Sequence, residues 1–344
     1  MTAVVSGTDS GVRRYGSHRL AVAALIGATA VWGWSYLATA WLLPEMSTAS
    51  LVAARFVLSG LLMAAVRPRA VAALGRRHFL AGLALAGCLG SGTMLQVQGQ
   101  RSLPAAQSGF LTSLFVILTP LVARALFKAR VARGVWAALA AATAGLAVIS
   151  FNGVSFGVGT WLTLTSAVCY SAQMALLSEY STPDKVSGLA TLQILGSGVI
   201  AALWAVPGGV DLPDTVPGWG WLAYSTLLAT LGMYVVQTWA QSRLPAATAA
   251  VVLACEPLFV SLFSLLVGVA LTARTALGGA LIVVAMYLVI AAERRGAPSP
   301  AGTPAVPEAL ARRRRERRTA GPLSRFLRPR TPGSRESENR PARS

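Results

Sequence analysis

The chain has 344 residues, of which 54% are hydrophobic and only 12% are charged, and its mean hydropathy is +0.59. A soluble domain carries about 25% charged residues, so most of this chain is not built to face water. The net charge of +18 does not indicate a nucleic-acid interface, because fourteen arginines follow Glu293 and the other basic residues stand mostly in short gaps between apolar runs.

Ten apolar runs of nearly membrane-spanning length follow one another along the chain. A transmembrane helix needs about 20 mostly apolar residues. Lipid offers no hydrogen-bond partner to backbone groups, so the runs are predicted to be helices. We expect an all-α integral membrane protein. The runs are Leu20–Leu43, Ala49–Val66, Phe79–Val97, Ala105–Phe127, Val135–Phe151, Val158–Leu177, Val186–Val206, Trp219–Ala240, Ala246–Val267 and Ala273–Ala292.

The basic residues predict the orientation of these runs. Three arginines precede the first run, four follow the second, and four basic residues stand at or just after the end of the fourth, whereas the gaps after the first, fifth and seventh runs contain none. Basic residues mark the cytoplasmic side, so both termini are predicted to be cytoplasmic. Lys185 and Arg243 agree with this orientation, while Arg101 and Arg274 fall on the predicted outside. The excess of arginine over lysine and the abundant alanine suggest a GC-rich bacterial genome, and the predicted location is the bacterial inner membrane.

Two terminal segments lie outside the predicted spans. Residues 1–19 form a short cytoplasmic segment, and residues 293–344 form an arginine-rich tail that is expected to be disordered. Its "RRRRERR" stretch at 312–318 would bind the anionic inner leaflet, or the tail would stay solvated and only enforce the orientation. The first run could instead be a signal peptide, but its length and its central aromatic residues favour a span.

Two nearly identical junctions divide the chain into halves. "GQRSLPAAQSGF" at Gly99 and "AQSRLPAATAAV" at Ala240 place Pro104 and Pro245 141 residues apart. Each half, 20–150 and 158–292, would contain five spans, and an odd number makes the second half enter the membrane from the opposite side. Inverted repeats of this kind recur in secondary transporters, which open one site to alternate sides of the membrane.

The chain resembles the EamA-type branch of the drug/metabolite transporter superfamily. The resemblance rests on "ATAVWGWSYLA", "AARFVLSGLLM", "AAQSGFLTSLFVILTPLVA" and "LPAATAAVVLACEPLFVSLFSLL", and it covers residues 20–292. It implies a ten-helix carrier that moves small metabolites, often outward. It also implies a central cavity walled by the first four spans and by spans six to nine. The two halves differ where the first has Thr119-Pro120 and the second has Glu256-Pro257, so the cavity is expected to be asymmetric.

Glu256 is the strongest candidate for substrate contact or proton coupling. It lies eleven residues beyond Pro245, which places it about 15 Å along a helix and near the middle of the membrane. A desolvated carboxyl group tends to hold a proton and to release it when it becomes hydrated or paired. Pro257 follows, so a kink is expected there. The alternative is a structural hydrogen bond across the helix pack.

Arg55 is a secondary candidate, about 9 Å into the second run. It could bind an anionic group or pair with a carboxylate. The favoured interpretation is that its side chain snorkels to the outer interface.

A group of aromatic and amide side chains is predicted to line the cavity. Trp32 and Tyr36 are four residues apart, and Tyr170 and Gln173 are three apart, so each pair shares a helix face. Gln96 and Gln237 occupy equivalent places in the two halves, and an amide facing lipid would lack partners. Each residue alone could equally be packing; as a set, aromatic rings with a few convergent polar groups are typical of a small-molecule site.

The remaining motifs point away from enzymes and cofactors. There is no phosphate-binding loop, no cluster with metal-ligand spacing and no nucleophile–base pair, so no cofactor or metal is expected. The glycines of the third and tenth runs indicate close helix packing or, alternatively, a homodimer contact. We expect a secondary transporter that exports a small-molecule substrate. The alternatives are an intramembrane enzyme or lipid-handling protein that uses Glu256, or a scaffold that moves nothing.

Overall fold

The computed structural model describes residues 8–128, 134–150, 157–244, 249, 252–253 and 255–296. The arginine-rich tail that follows Gly296 lies outside these residues. So do Pro245 and much of the start of the ninth run. The described chain is helical, with no strand within these ranges. Its helices are α1 Thr8–Leu42, α2 Thr48–Val66, α3 Arg76–Gln100, α4 Ala105–Thr112, α5 Phe115–Phe127, α6 Gly134–Ser150, α7 Val158–Tyr180, α8 Val186–Ala205, α9 Val216–Ala223, α10 Met233–Gln241, α11 Glu256–Leu266 and α12 Ala273–Gly296.

Each predicted apolar run overlaps one or two of these helices, and the helices make this a multi-pass membrane protein. Six helical segments of the described chain are long and apolar enough to cross a membrane, judged by length and composition. They are Arg19–Leu42, Thr48–Val66, Arg76–Gln100, Ala105–Phe127, Val186–Gly208 and Val216–Gln241. Helices α6 and α7, together with the shorter apolar segments Glu256–Leu266 and Ala273–Ala285, are not among the six. The count of ten spans therefore stays a prediction.

Glycines allow the helices to pack closely. The main pairs are α6 with α12, α3 with α7 and α8, and α2 with α8. Between α2 and α8, a Cβ atom at Gly60 would lie 2.6 Å from Cα of Leu195, and one at Gly198 would lie 2.6 Å from the backbone nitrogen of Val57. Because backbone cannot move aside, small residues are required at this crossing, as in other membrane helix pairs.

The loops at residues 43–47, 101–104 and 206–215 form one cluster, which we call the carboxylate loop cluster. Its loops are held together by hydrogen bonds that carboxylate groups accept and a guanidinium group donates. Glu45 accepts hydrogen bonds from the backbone nitrogens of Asp214 and Thr215 and, at 2.8 Å, from the Thr215 hydroxyl. Arg101 donates to the backbone oxygens of Leu43 and Met46. The loops after α1, α3 and α8 are therefore tied to one another.

Residues 67–77 and 179–185 form a second cluster with fewer hydrogen bonds; we call it the basic loop cluster. Arg77 and Glu179 form an ion pair of 3.7 Å between exposed side chains. Lys185 Nζ lies 3.4 Å from the backbone oxygen of Ala73. Exposed ion pairs contribute little to stability, so this cluster is held less firmly than the carboxylate loop cluster.

A helix is interrupted at equivalent positions in the two halves. The fourth predicted run is divided at Ser113–Leu114, and α5 begins at Phe115; 141 residues later, Cys255 precedes α11, which begins at Glu256. The Leu114 nitrogen donates to Leu111 O at 3.3 Å, and the Cys255 nitrogen donates to Val252 O at 3.1 Å. The backbone hydrogen-bond pattern is thus repeated along with the sequence.

Pro257 does not kink a continuous helix, as the sequence suggested, but lies in the first turn of α11. A proline fits there because the first backbone N–H groups of a helix have no intrahelical partner.

Candidate functional site

A cavity between the helices gathers all eight side chains that the sequence analysis singled out. It holds about 680 Å³ of empty space, part of it open to solvent. Its walls come from α1, α2, α3, the α4–α5 break, α7, α10 and the start of α11. The described residues of α6, α8 and α12 contribute nothing to its lining. The lining residues are Trp32, Ser35, Tyr36, Thr39, Arg55, Thr93, Gln96, Val97, Gln100, Thr112, Phe115, Tyr170, Gln173, Met174, Tyr234, Gln237, Leu253 and Glu256.

Glu256 is the only acidic residue among those lining residues. It is the first residue of α11, where its carboxyl group stands beside the positive end of the helix dipole. The Tyr36 hydroxyl lies beside the Glu256 carboxyl and the Thr112 hydroxyl, although no well-directed hydrogen bond joins it to any described residue. The carboxyl group is therefore held in the cavity wall next to a buried phenol.

Arg55 does not snorkel to the interface, contrary to the favoured interpretation of its sequence position. It is 6% exposed and lies in the cavity wall. Its Nε donates to Thr230 Oγ1 at 3.3 Å. Thr230 stands opposite Arg55 because the eighth predicted run packs against α2, and a pattern of local apolar residues contains no signal of that pairing.

A hydrogen-bonded group joins α3 to α7 across one wall. The Tyr170 hydroxyl donates to Gln96 Oε1 at 2.6 Å and lies 3.1 Å from Thr93 Oγ1. Gln100 Nε2 donates to the backbone oxygen of Tyr36 at 2.6 Å. These bonds fix the direction of Tyr170 and Gln96, so their polar ends lie on the cavity wall rather than in lipid.

The other predicted amides belong to a second network toward α8 and α10. Gln173 Nε2 donates to Gln193 Oε1 at 3.2 Å, and Gln193 Nε2 donates to Thr238 Oγ1 at 3.0 Å. Gln237 Nε2 lies 3.2 Å from Met174 Sδ, while its Oε1 has no partner among the described residues. An unpaired buried acceptor costs free energy, and this oxygen is fully buried in the described structure.

A π-helical segment, Tyr224–Gly232, joins α9 to α10 and supports the same wall. Trp32 Nε1 donates to the backbone oxygen of Ala229 at 2.9 Å, and the Ser59 hydroxyl donates to that of Thr226 at 2.7 Å. The wider turns of a π-helix let backbone oxygens serve neighbouring helices, and such segments are frequent at functional sites.

The sequence analysis did not predict several of the lining residues, although the sequence carries a signal for some of them. Thr93 and Tyr234 each precede a predicted glutamine, Gln96 or Gln237, by three residues, which places them on the same helix face. Phe115 is the residue equivalent to Glu256 in the first half. Helical periodicity would have found the first two, whereas Phe115 is indistinguishable from lipid-facing apolar residues in the sequence.

The described residues contain no group of three or more histidine, cysteine, aspartate or glutamate side chains able to hold a metal ion. Cys88 and Cys169 are half-buried thiols in α3 and α7.

Apolar helices surround a polar, partly open cavity, an arrangement that membrane transport proteins share. A model of the EamA-like transporter family matches residues 19–151 and again residues 157–291. The chain therefore belongs to the EamA-like transporter family, which is part of the drug/metabolite transporter superfamily.

A curated relative and a solved structure are also similar to the chain. An uncharacterized transporter of Archaeoglobus fulgidus is 28% identical over 177 residues, which cover 51% of this chain and 57% of that protein. The chain thus matches little more than half the length of this relative. A solved crystal structure overlays 78% of this chain and 98% of its own with a TM-score of 0.57 at 18% identity. A likeness at that identity shows the fold alone.

Proposed function

We propose that the protein is a secondary active transporter that exports small metabolites, amino-acid-like or amphipathic solutes, by alternating access. The observation that carries this proposal is the position of Glu256 in a polar cavity whose walls come from both matches of the family model. Transporters of this kind bind substrate near the middle of the membrane, between two repeats. The predicted lining residues Trp32, Tyr36, Gln96, Tyr170, Gln173 and Gln237 would contact the substrate together with Glu256.

We further infer that ten spans form two inverted five-helix repeats, 20–150 and 158–292. The two matches to the family model and the repeated helix interruption support the repeat itself. The inversion rests on the odd number of spans in each half. Under this topology the carboxylate loop cluster is on the outside and the basic loop cluster, with its arginines, is in the cytoplasm of a bacterial cell.

Alternating access would require the two loop clusters to separate in turn. The hydrogen bonds of Glu45 and Arg101 to backbone groups close the carboxylate loop cluster. The weaker ties of the basic loop cluster support an arrangement in which the cytoplasmic side opens more readily. Substrate entry from the cytoplasm is the direction that export needs.

Glu256 is proposed to couple transport to protons. Its carboxyl group would hold a proton while the cavity is closed and release it when water enters. The other titratable or charged groups that face it from the cavity walls are Tyr36, Tyr170, Tyr234 and Arg55. The remaining proposed partners are the anionic inner leaflet for the basic tail and a second copy of the chain in a homodimer; no nucleic acid and no cofactor are proposed.

Reconstitution of the purified protein in liposomes tests the function. Flux of a metabolite panel would be measured with and without an imposed pH gradient. Saturable flux that the gradient accelerates supports a proton-coupled carrier, and saturable flux that ignores it supports facilitated diffusion. Formation of a new product without net flux would instead favour an intramembrane enzyme or lipid-handling protein, and the absence of both would leave a scaffold.

A further inference from the structure

Arg55 is a buried cation whose terminal nitrogens have no partner among the described residues. The bond that the structure gives its guanidinium group is from Nε to Thr230, and the described part of the chain places no carboxylate in an ion pair with it. Its titratable neighbours are tyrosines: Tyr170, Tyr224 and Tyr234. A charge at this depth is costly unless it is paired, so it is retained for a partner that comes from elsewhere.

The surroundings of Arg55 hold its guanidinium group in one direction. The Thr230 hydroxyl donates its proton to the backbone oxygen of Ser225 at 2.7 Å, so its oxygen accepts from Arg55 Nε. This bond ties Nε, at one edge of the guanidinium plane, to the π-helical segment, and the Arg55 side chain lines the cavity. A guanidinium group fixed in this way presents the two parallel donors that match a carboxylate.

We propose that Arg55 is the anion-binding residue of the cavity and that the transported substrate carries a carboxylate group, which seats on the Arg55 guanidinium. The inference rests on the proposed function and deepens it by assigning one end of the substrate. Glu256 remains for a cationic group or a proton, because the described residues form no ion pair between Arg55 and Glu256.

Binding measurements on the purified full-length protein in nanodiscs test the assignment. Calorimetry would be carried out with the twenty common amino acids and a set of simple monocarboxylates, and then with the amide of each compound that binds. The wild type should bind the acid at least about tenfold more tightly than its amide, since a hydrogen bond to a charged group has about that effect. Arg55→Gln should bind acid and amide equally, and Arg55→Lys should keep part of the preference.

A matched control separates this site from general effects of arginine. Arg243 is exposed at the end of α10 and lies over the Trp239 ring, so Arg243→Gln should keep the wild-type preference. Thr230→Val removes the anchor of Nε and should weaken acid binding without changing amide binding. If Arg55→Gln does not fold, judged by size-exclusion chromatography, Arg55→Lys and Thr230→Val carry the test.

The outcomes distinguish this inference from the proposed function. No carboxylate binding by the wild type, equal binding of acids and amides, or an unchanged preference in Arg55→Gln would overturn the inference. Flux of neutral solutes that depends on Glu256 and not on Arg55 would overturn it while leaving the transporter in place. Acid binding that depends on Arg55, without any flux in liposomes, would support the site and defeat the transport proposal.

Discussion

The two interrupted helices share the same backbone hydrogen bonds but place different side chains at the cavity wall. The backbone oxygens of Leu114 in the first half and Cys255 in the second each accept hydrogen bonds from the residues three and four positions later. The distances are 3.0 and 3.0 Å for Leu114 and 3.1 and 3.3 Å for Cys255. The residue that follows is Phe115 in one half and Glu256 in the other, and both face the cavity. The backbone hydrogen bonds are therefore present in both halves, whereas a carboxyl group at this position is present in only one.

The difference between the interruptions extends to the next residue. The Val116 nitrogen donates to Ser113 O at 3.0 Å, but its equivalent is Pro257, which has no backbone N–H. The first interruption therefore has a backbone hydrogen bond from Val116 that the proline of the second cannot make, and an aromatic ring where the second has a carboxyl group.

The largest effect is expected when the carboxyl group at the second interruption, that of Glu256, is removed. Glu256→Gln should lower gradient-driven flux by about ten- to a hundredfold, because a hydrogen bond to a charged group is worth about 1.5–3 kcal/mol. It should also abolish the dependence of flux on pH. Proteoliposome flux at several pH values is the measurement, with Glu179→Gln, an exposed acid in an ion pair with Arg77, as the control. Full pH dependence in Glu256→Gln would remove its coupling role.

Exchanging the two residues sharpens the comparison. Glu256→Phe alone should eliminate gradient-driven flux, and adding Phe115→Glu should restore pH-dependent flux to within about tenfold of the wild type, a difference of about 1.4 kcal/mol. The reason is that both positions begin a helix at the cavity wall. Flux that stays absent in the folded double variant would show that the halves are not interchangeable at this depth.

Restoring the missing backbone donor should have a smaller effect. Pro257→Ala supplies an N–H group like that of Val116 and relaxes the first turn of α11. We expect flux to fall about two- to fivefold, consistent with the 0.4–1 kcal/mol typical of single proline substitutions. Pro120→Ala, inside α5 and away from the interruption, is the matched variant. Equal effects of the two substitutions would contradict a special role for the second interruption.

The smallest effect is expected at the carboxylate loop cluster, outside the membrane-spanning segments. Asp211 Oδ2 accepts from the Ser47 nitrogen at 2.9 Å, and its hydrogen bonds with Ser47 lower the pKa of the Asp211 carboxyl. The lowered pKa means that this tie is complete above the ordinary pKa of aspartate and is lost as the pH falls through the lowered value.

Asp211→Asn should therefore lower the melting temperature slightly at neutral pH and leave it unchanged in strong acid. Thermal unfolding followed across this range is the measurement. Asp184→Asn offers a comparison, because the Thr182 hydroxyl and then Lys185 lower the pKa of that carboxyl in the basic loop cluster. An acid-independent effect of Asp211→Asn would show that the loop tie does not depend on the carboxylate charge.

Much of the candidate site was accessible from the sequence. Trp32 and Tyr36, spaced four apart, and Gln96 and Gln237, spaced by the repeat, all reach one cavity. Their inward direction follows from local rules, since helical spacing puts residues on one face and lipid disfavours an unpaired amide. The sequence misjudged Arg55, whose direction depends on a neighbour far along the chain.

By itself, the sequence determined that the chain is a multi-pass helical membrane protein of two related halves and which polar side chains those helices carry. These properties depend on the lengths of apolar runs and on spacing within single helices, and both are local. Only the tertiary structure decided that Arg55 is anchored by Thr230, that a π-helical segment supplies backbone oxygens to Trp32 and Ser59, and that Phe115 lies on the cavity wall as Glu256 does. Those relations depend on how each helix is rotated against its neighbours, and that rotation is set by packing between residues distant in the chain.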